Sequence, residues 1–216
     1  MSPRNRITRV VTSICGALLL LNAVARADDS SDSSADADTN SPPVFKAELF
    51  KGEFVGVDQI LRLMLTSGTN QFMIVVPRGL QVDQSSPGKI VILSPDHSYY
   101  LIFRMIAAPE SNPTKHDSFR GLLTHEYAGA KILEETFSQV AGHTGPSFDL
   151  FWRAYGGTEQ FVRTAFIPSP AGILEFTLIS NSENLRDAQL SFKGLLRGFR
   201  SNEKGKINIE PMIDYS

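Results

Sequence analysis

The sequence predicts an α+β domain in which an antiparallel β-sheet of about six strands is combined with amphipathic helices. Three observations carry that expectation. Residues 89–94 and 99–107 are apolar, strand-like runs joined by Ser94-Pro95-Asp96-His97, a turn short enough to make them an antiparallel hairpin. Residues 147–155, 159–167 and 173–180 follow one another across short Gly- and Pro-containing turns, as the strands of a meander do. Residues 117–140 and 185–199 instead carry apolar side chains three and four positions apart, the period of a half-buried helix. The chain has 216 residues, 42% hydrophobic and 20% charged, the composition of an ordinary globular protein with a single domain.

The first 27 residues read as a signal peptide. Arg4, Arg6 and Arg9 precede an apolar run that contains Leu18 to Leu21, and Ala25-Arg26-Ala27 has the small-x-small form of a cleavage site. The run is shorter than the ~20 residues that a spanning helix needs, so the mature chain is expected to begin near Asp28 without a transmembrane segment. Cys15, the one cysteine, lies inside this segment, with Ile14 rather than a small residue before it, so it is not read as a lipidation site. The mature chain would then hold no thiol, which excludes disulfides, thiol nucleophiles and cysteine metal sites. Residues 28–43 hold only Asp, Ser, Ala, Thr, Asn and Pro and read as an acidic, disordered linker. The full chain carries a formal net charge of −2. Most of the imbalance left after signal removal lies in the linker, so the domain is near neutral and lacks the electrostatic footprint of a nucleic-acid binder.

Residues 44–69 form an N-terminal extension whose period is ambiguous. Ile60, Leu61, Met64 and Leu65 suit a helix started by Asp58, but 59–66 also suits a strand turned by Ser67-Gly68-Thr69-Asn70 into the next one. The helix is the preferred reading of the two. Phe72 to Val76 is apolar on both sides and is stopped by Pro77 and Gly79, as a central strand covered on both faces would be. In 99–107, Leu101, Phe103 and Met105 oppose Ile102, Arg104 and Ile106. Asp117 or Ser118 is expected to cap a helix running to about Val140, with Phe119, Leu123, Tyr127, Ala130, Leu133 and Phe137 as its buried stripe. In the third meander strand Leu174, Phe176 and Leu178 alternate with Glu175 and Thr177. Ser180-Asn181-Ser182-Glu183 resembles a capping box for a last helix that buries Leu185, Ala188, Phe192, Leu195, Leu196 and Phe199. Residues 201–216 read as a polar tail.

Motifs for phosphate cradling and the nucleophile elbow are missing from the sequence. His125-Glu126 begins like a zinc-protease helix, but Gly129 stands where the second histidine would be, and His97, His116 and His143 fall in loops or at element ends. No catalytic, cofactor-binding or metal-ligating residue is therefore assigned. Glu126 is the residue out of place. It falls within an apolar stripe, and a buried carboxylate needs a partner. Arg104, Arg153 and Arg163 lie on strands that could supply one, so Glu126, Arg104 and Arg163 are the candidate ion-pair or ligand residues. Tyr99, Tyr100, Trp152 and Tyr155 could line an aromatic groove, although strand spacing also suits them to core and sheet-edge positions.

The run Phe72-x-Ile74-x-x-Pro77-x-Gly79-Leu80, followed by a hairpin, a helix, three meandering strands and a helix ending Phe192…Leu196…Phe199, resembles the PsbP-type family. That family includes the extrinsic subunit of photosystem II and exported bacterial relatives. The resemblance covers residues 70–200 and implies an α/β/α sandwich, an antiparallel sheet with helices on both faces. Leu80 stands where the family often has Trp, and no functional residue of the family is carried over. The function expected is that of a non-enzymatic, exported accessory or binding protein that binds or helps assemble another envelope or secreted protein, without a cofactor. Two alternatives are a small-molecule or lipid carrier with a cavity between the sheet and the 117–140 helix, and a hydrolase with a dispersed site.

Overall fold

The computed structural model describes residues 45–55, 58–86, 88–109, 112–153 and 157–202. The expected signal peptide, the acidic linker, most of the C-terminal tail and Tyr155 lie outside these residues.

The extension that preferred a helix is a pair of strands. β1 (Lys46–Val55) pairs antiparallel with β2 (Asp58–Ser67). β2 turns through Gly68, at a φ of 58° that favours glycine, into β3 (Asn70–Val76). The strand alternative is the one realised, because Leu63 and Leu65 alternate inward with no exposure left, a period of two. β3 is an inner strand, but of a separate four-stranded sheet in the order β1-β2-β3-β11, where β11 (Arg200–Asn202) is the first piece of the expected tail.

The second sheet has seven strands. They are β4 (Gln81–Asp83), β5 (Lys89–Leu93), β6 (Tyr99–Ile106), β7 (Lys131–Val140), β8 (His143–Arg153), β9 (Glu159–Ser169) and β10 (Gly172–Ser180), in the order β4-β5-β6-β10-β9-β8-β7. Every pair is antiparallel. The single sheet of about six strands is thus corrected to two sheets, since the extension and residues 131–140 are extended as well.

The helix expected over 117–140 ends early. α1 covers Asp117–Glu126, Tyr127 N–H closes its last turn on the Leu123 carbonyl, and Gly129 sits at φ 78°. A glycine in that conformation stops a helix, and the chain restarts as β7. Phe119, Leu123 and Tyr127 are buried as expected, whereas Leu133 and Phe137 are 51% and 60% exposed. Neither Asp117 nor Ser118 caps α1. The N-cap position is His116, the Ser118 hydroxyl donates to the Asn112 carbonyl, and Asp117 pairs with Arg120 one turn on. The second helix, α2 (Leu185–Gly198), starts without a side-chain cap. In place of the capping box, Asn181 Oδ1 accepts from Asn184 N–H at 3.0 Å.

The centre of the seven-stranded sheet is covered on both faces. Phe103 and Phe176 on one face share a core with Phe72 and Ile74 of β3 and with Phe192, Leu195 and Phe199 of and after α2. The Phe199 ring stands edge-on to Phe176 at 5.0 Å and stacks on Phe72 at 5.8 Å. On the other face Ile102, Phe148, Val162 and Phe166 pack with Phe119, Leu123 and Tyr127 of and after α1, and Phe119 lies flat on Phe166 at 4.2 Å.

Where β8 passes β9 near its start, a Cβ added to Gly145 would sit 1.9 Å from the Phe166 carbonyl oxygen and 2.9 Å from Pro168. The contact is backbone against backbone and has no flexible end to move. Gly145→Ala is therefore expected to cost on the order of 1–3 kcal/mol in urea unfolding, the range for overpacked sites; a cost below about 0.5 kcal/mol, as at a free surface position, would show that the two strands separate freely there.

Candidate functional site

Two features stand out once the fold is laid down: a charged centre beneath α1, and the edge of β7, which pairs with no second strand among the described residues. The charged centre follows from register. Arg104 of β6 lies directly opposite Glu175 of β10. Arg104 Nε donates to Glu175 Oε2 at 2.7 Å, and Arg104 Nη2 pairs with Glu126 at the end of α1. Glu175 is 2% exposed. Its other oxygen accepts from the Thr177 hydroxyl at 3.0 Å, which lies 2.8 Å from the Thr164 hydroxyl. The Tyr127 ring covers this centre and meets Trp152 edge-on at 5.4 Å.

The electrostatics follow from sharing one guanidinium between two acids. Burial pushes the Glu175 carboxyl above its ordinary range, against the attraction of Arg104. The two carboxylates together hold Arg104 above the usual arginine value despite its own burial. Burial, reinforced by Glu126 and Glu175, pushes the Tyr127 phenol far up. Lys89 of β5, across from Arg104, is pushed down by burial and then by the Arg104 charge. The arrangement can tie α1 to the sheet and hold a carboxylate in an apolar setting.

Of the three arginines facing Glu126 in the sequence reading, only Arg104 meets it. Arg163 pairs instead with Asp149 of β8, Nε to Oδ1 at 2.6 Å, on the opposite face of the sheet by strand alternation. Arg153 pairs with Glu159 at 2.6 Å in an exposed position. Tyr99 and Trp152 lie on opposite faces of the sheet and do not share a groove. The Tyr99 hydroxyl reaches Ser191 of α2 at 2.9 Å on one face, and Trp152 joins the core on the other. Glu175 and Asp149 were missed as partners because each sits among alternating residues whose polar members read as solvent-facing. The signal for Glu175 was Arg104 at the matching depth of a neighbouring strand.

The second feature was hidden by the helix reading. β7 is the last strand of its sheet. Ile132 and Leu133, beside a bulge between Ile132 and Glu134, are 37% and 51% exposed, and Phe137 is 60% exposed. α1 reaches this strand with two groups. Arg120 forks onto Glu135 at 2.8 and 2.7 Å, and His116 Nε2 lies 2.6 Å from the Thr136 carbonyl with its ring 4.7 Å from that of Phe137.

Two predictions follow from the charged centre. Arg104→Ala strands Glu175 in an apolar site and is expected to cost about 3–5 kcal/mol, whereas Glu126→Gln removes a half-exposed partner and is expected to cost under about 1 kcal/mol; equal costs in urea unfolding would contradict this division. The second concerns pH. A carboxyl whose folded pKa is raised binds more protons folded than unfolded, so its contribution to stability falls as pH rises from the unfolded value of about 4.5 toward the raised one. Wild type should therefore lose stability relative to Glu175→Gln between pH 4.5 and neutrality, and the opposite slope in paired urea midpoints would show that Arg104 outweighs burial.

No family model matches the chain, and no curated protein sequence matches it. Solved structures do. The solution structure of cyanobacterial PsbP from Synechocystis superposes with a TM-score of 0.51 at 14% identity, over 71% of this chain and 98% of that one. LpqN of Mycobacterium tuberculosis, described as involved in cell envelope biogenesis, gives a TM-score of 0.36 at 9% identity over 73% of this chain and 91% of that one. The immunity protein TplEi of Pseudomonas aeruginosa gives 0.37 at 10% over 65% and 72%. The first of these likenesses, at low identity, makes the fold PsbP-like.

Proposed function

We propose that this chain is an exported, non-enzymatic accessory protein that binds another envelope or secreted protein along the edge of β7. The observation that carries the reading is the contrast between the edges of the seven-stranded sheet. β4, at the edge opposite β7, has three residues, which leaves little backbone for another chain to pair with. β7 has ten, and it adds the most exposed aromatic ring among the described residues, Phe137. A long edge strand with exposed apolar side chains is a template for strand addition, and burying Phe137 fully would contribute roughly 1.5–3 kcal/mol. Export is supported by the charged start, apolar run and Ala25-Arg26-Ala27 of the sequence. No helix of the described residues is long and apolar enough to cross a membrane. An accessory role is in keeping with the PsbP-like fold, as an analogy of fold.

The test compares wild type with Leu133→Ser/Phe137→Ser in affinity capture from an envelope extract of the native host. Both residues are exposed, so the variant should unfold within about 0.5 kcal/mol of wild type. A partner retained by wild type and lost by the variant is the expected result; the same partner held equally by both would move the binding surface away from β7.

A further inference from the structure

The charges along β7 specify what kind of segment fits there; this inference rests on the edge-binding reading above. We infer that the β7 edge accepts an extended, antiparallel segment with apolar residues on the α1 side, a basic residue opposite Glu134 and an acidic residue opposite Lys131. Glu135 is already neutralised by the Arg120 fork. Glu134 and Lys131 are exposed, and neither forms an ion pair among the described residues. Glu134 does act on Arg163, but that guanidinium is engaged by Asp149. An incoming strand therefore meets one exposed acid whose neighbouring guanidinium is already engaged by Asp149, and one exposed base with no ion pair among the described residues.

Their spacing on a partner can be read from β8, which already pairs with β7 on its other side. Across the bulge, Glu134, Ile132 and Lys131 face the consecutive residues Asp149, Leu150 and Phe151. The same count on the outer side sets a basic residue, an apolar residue and an acidic residue in that order along an antiparallel partner. Glu135 and Phe137 lie on the face of Phe148 and Pro146, so the positions one and three before the basic residue are apolar too. His116 holds the Thr136 carbonyl, and among the described residues no other group from outside β8 bonds to the strand's backbone, Arg120 reaching only the Glu135 side chain.

A second copy is a poor occupant of the whole edge. Antiparallel self-pairing over all ten residues places Glu134 and Glu135 of one copy diagonal to those of the other, and like charges across strands oppose pairing.

The probes are two synthetic peptides, Val-Thr-Val-Lys-Val-Glu-Val and the charge-exchanged Val-Thr-Val-Glu-Val-Lys-Val, titrated against the full mature chain at low salt. Wild type is expected to bind the first about tenfold more tightly than the second, the scale of two exchanged cross-strand charge pairs. Glu134→Lys should remove or reverse that preference, and Phe137→Ser should weaken both peptides alike. Equal affinity for the two peptides, or binding of neither, would overturn the inference. So would a concentration-dependent dimer that Phe137→Ser abolishes, because a second copy would then own the edge. If the captured partner depends on Phe137 while the peptides show no charge preference, the β7 edge stands as the binding surface and only the charge rule fails.

Discussion

Covering both faces of one strand pair dictates most of this structure. β10 is buried from Ile173 to Ser180 and β6 is nearly so. A polar side chain on either strand must therefore find its partner inside the protein. Leu174, Phe176 and Leu178 meet this demand on the face of α2 and the four-stranded sheet. On the other face the demand falls on Glu175 and Thr177, and the answer is Arg104 at the matching register with Thr164 beyond. Arg104 then has a second valence to satisfy, which it does on Glu126, so the end of α1 is located by the charge left over from the sheet. Burying a charge without a partner costs far more than an ordinary contact gains. One requirement thus fixes the register of β6 on β10, the seat of α1 and the position of Tyr127.

The reach of α1 explains what is left open. Seven strands at about 4.8 Å spacing span roughly 29 Å, while one helix with its side chains is about 10–12 Å wide. A single ten-residue helix whose apolar side faces Phe148 and Phe166 cannot also cover the outermost strand. It reaches β7 only through the polar ends of Arg120 and His116. Ile132, Leu133 and Phe137 stay exposed for the same reason that Phe119 and Leu123 are buried.

Strands with a period of two, or with a short apolar run closed by turn residues, were legible in the sequence: the β5–β6 hairpin, the β8–β10 meander and the two-sided strand ending at Pro77. The α2 stripe was equally legible, since Ala188, Phe192 and Leu195 repeat every three or four residues and have no competing strand pattern. Residues 131–140 were not. Leu133 and Phe137 continue the spacing of Phe119, Leu123 and Tyr127 well enough to extend the helix on paper, and a glycine at 129 costs a helix only about 1 kcal/mol when it adopts helical angles. Its positive φ, which ends the helix, is a tertiary outcome. The extension was undecided for a related reason, because Leu61, Met64 and Leu65 fit both periods. Within the charged centre, Glu126 and Arg104 could be named from sequence because each broke an apolar pattern. Glu175 could not, because it obeyed one: alternation says which face a residue takes, and only the arrival of α1 makes that face an interior.

The edge strand then raises the question of what opposes its pairing with a second copy. Blunting by shortness is used at β4 but not at β7, where the strand keeps its ten residues. Three features there work against indiscriminate pairing. The bulge at Leu133 disturbs the ladder, His116 occupies the Thr136 carbonyl, and Glu134 with Glu135 sets two acids at the middle of the strand. Edge strands commonly combine a bulge with charge for this purpose. None of the three removes the apolar surface of Phe137, which a device aimed only at solubility would have replaced with a polar residue. An edge that keeps its aromatic ring and its length while opposing its own copy by charge is suited to a selective partner, and the proposed charge rule puts that selection at Glu134.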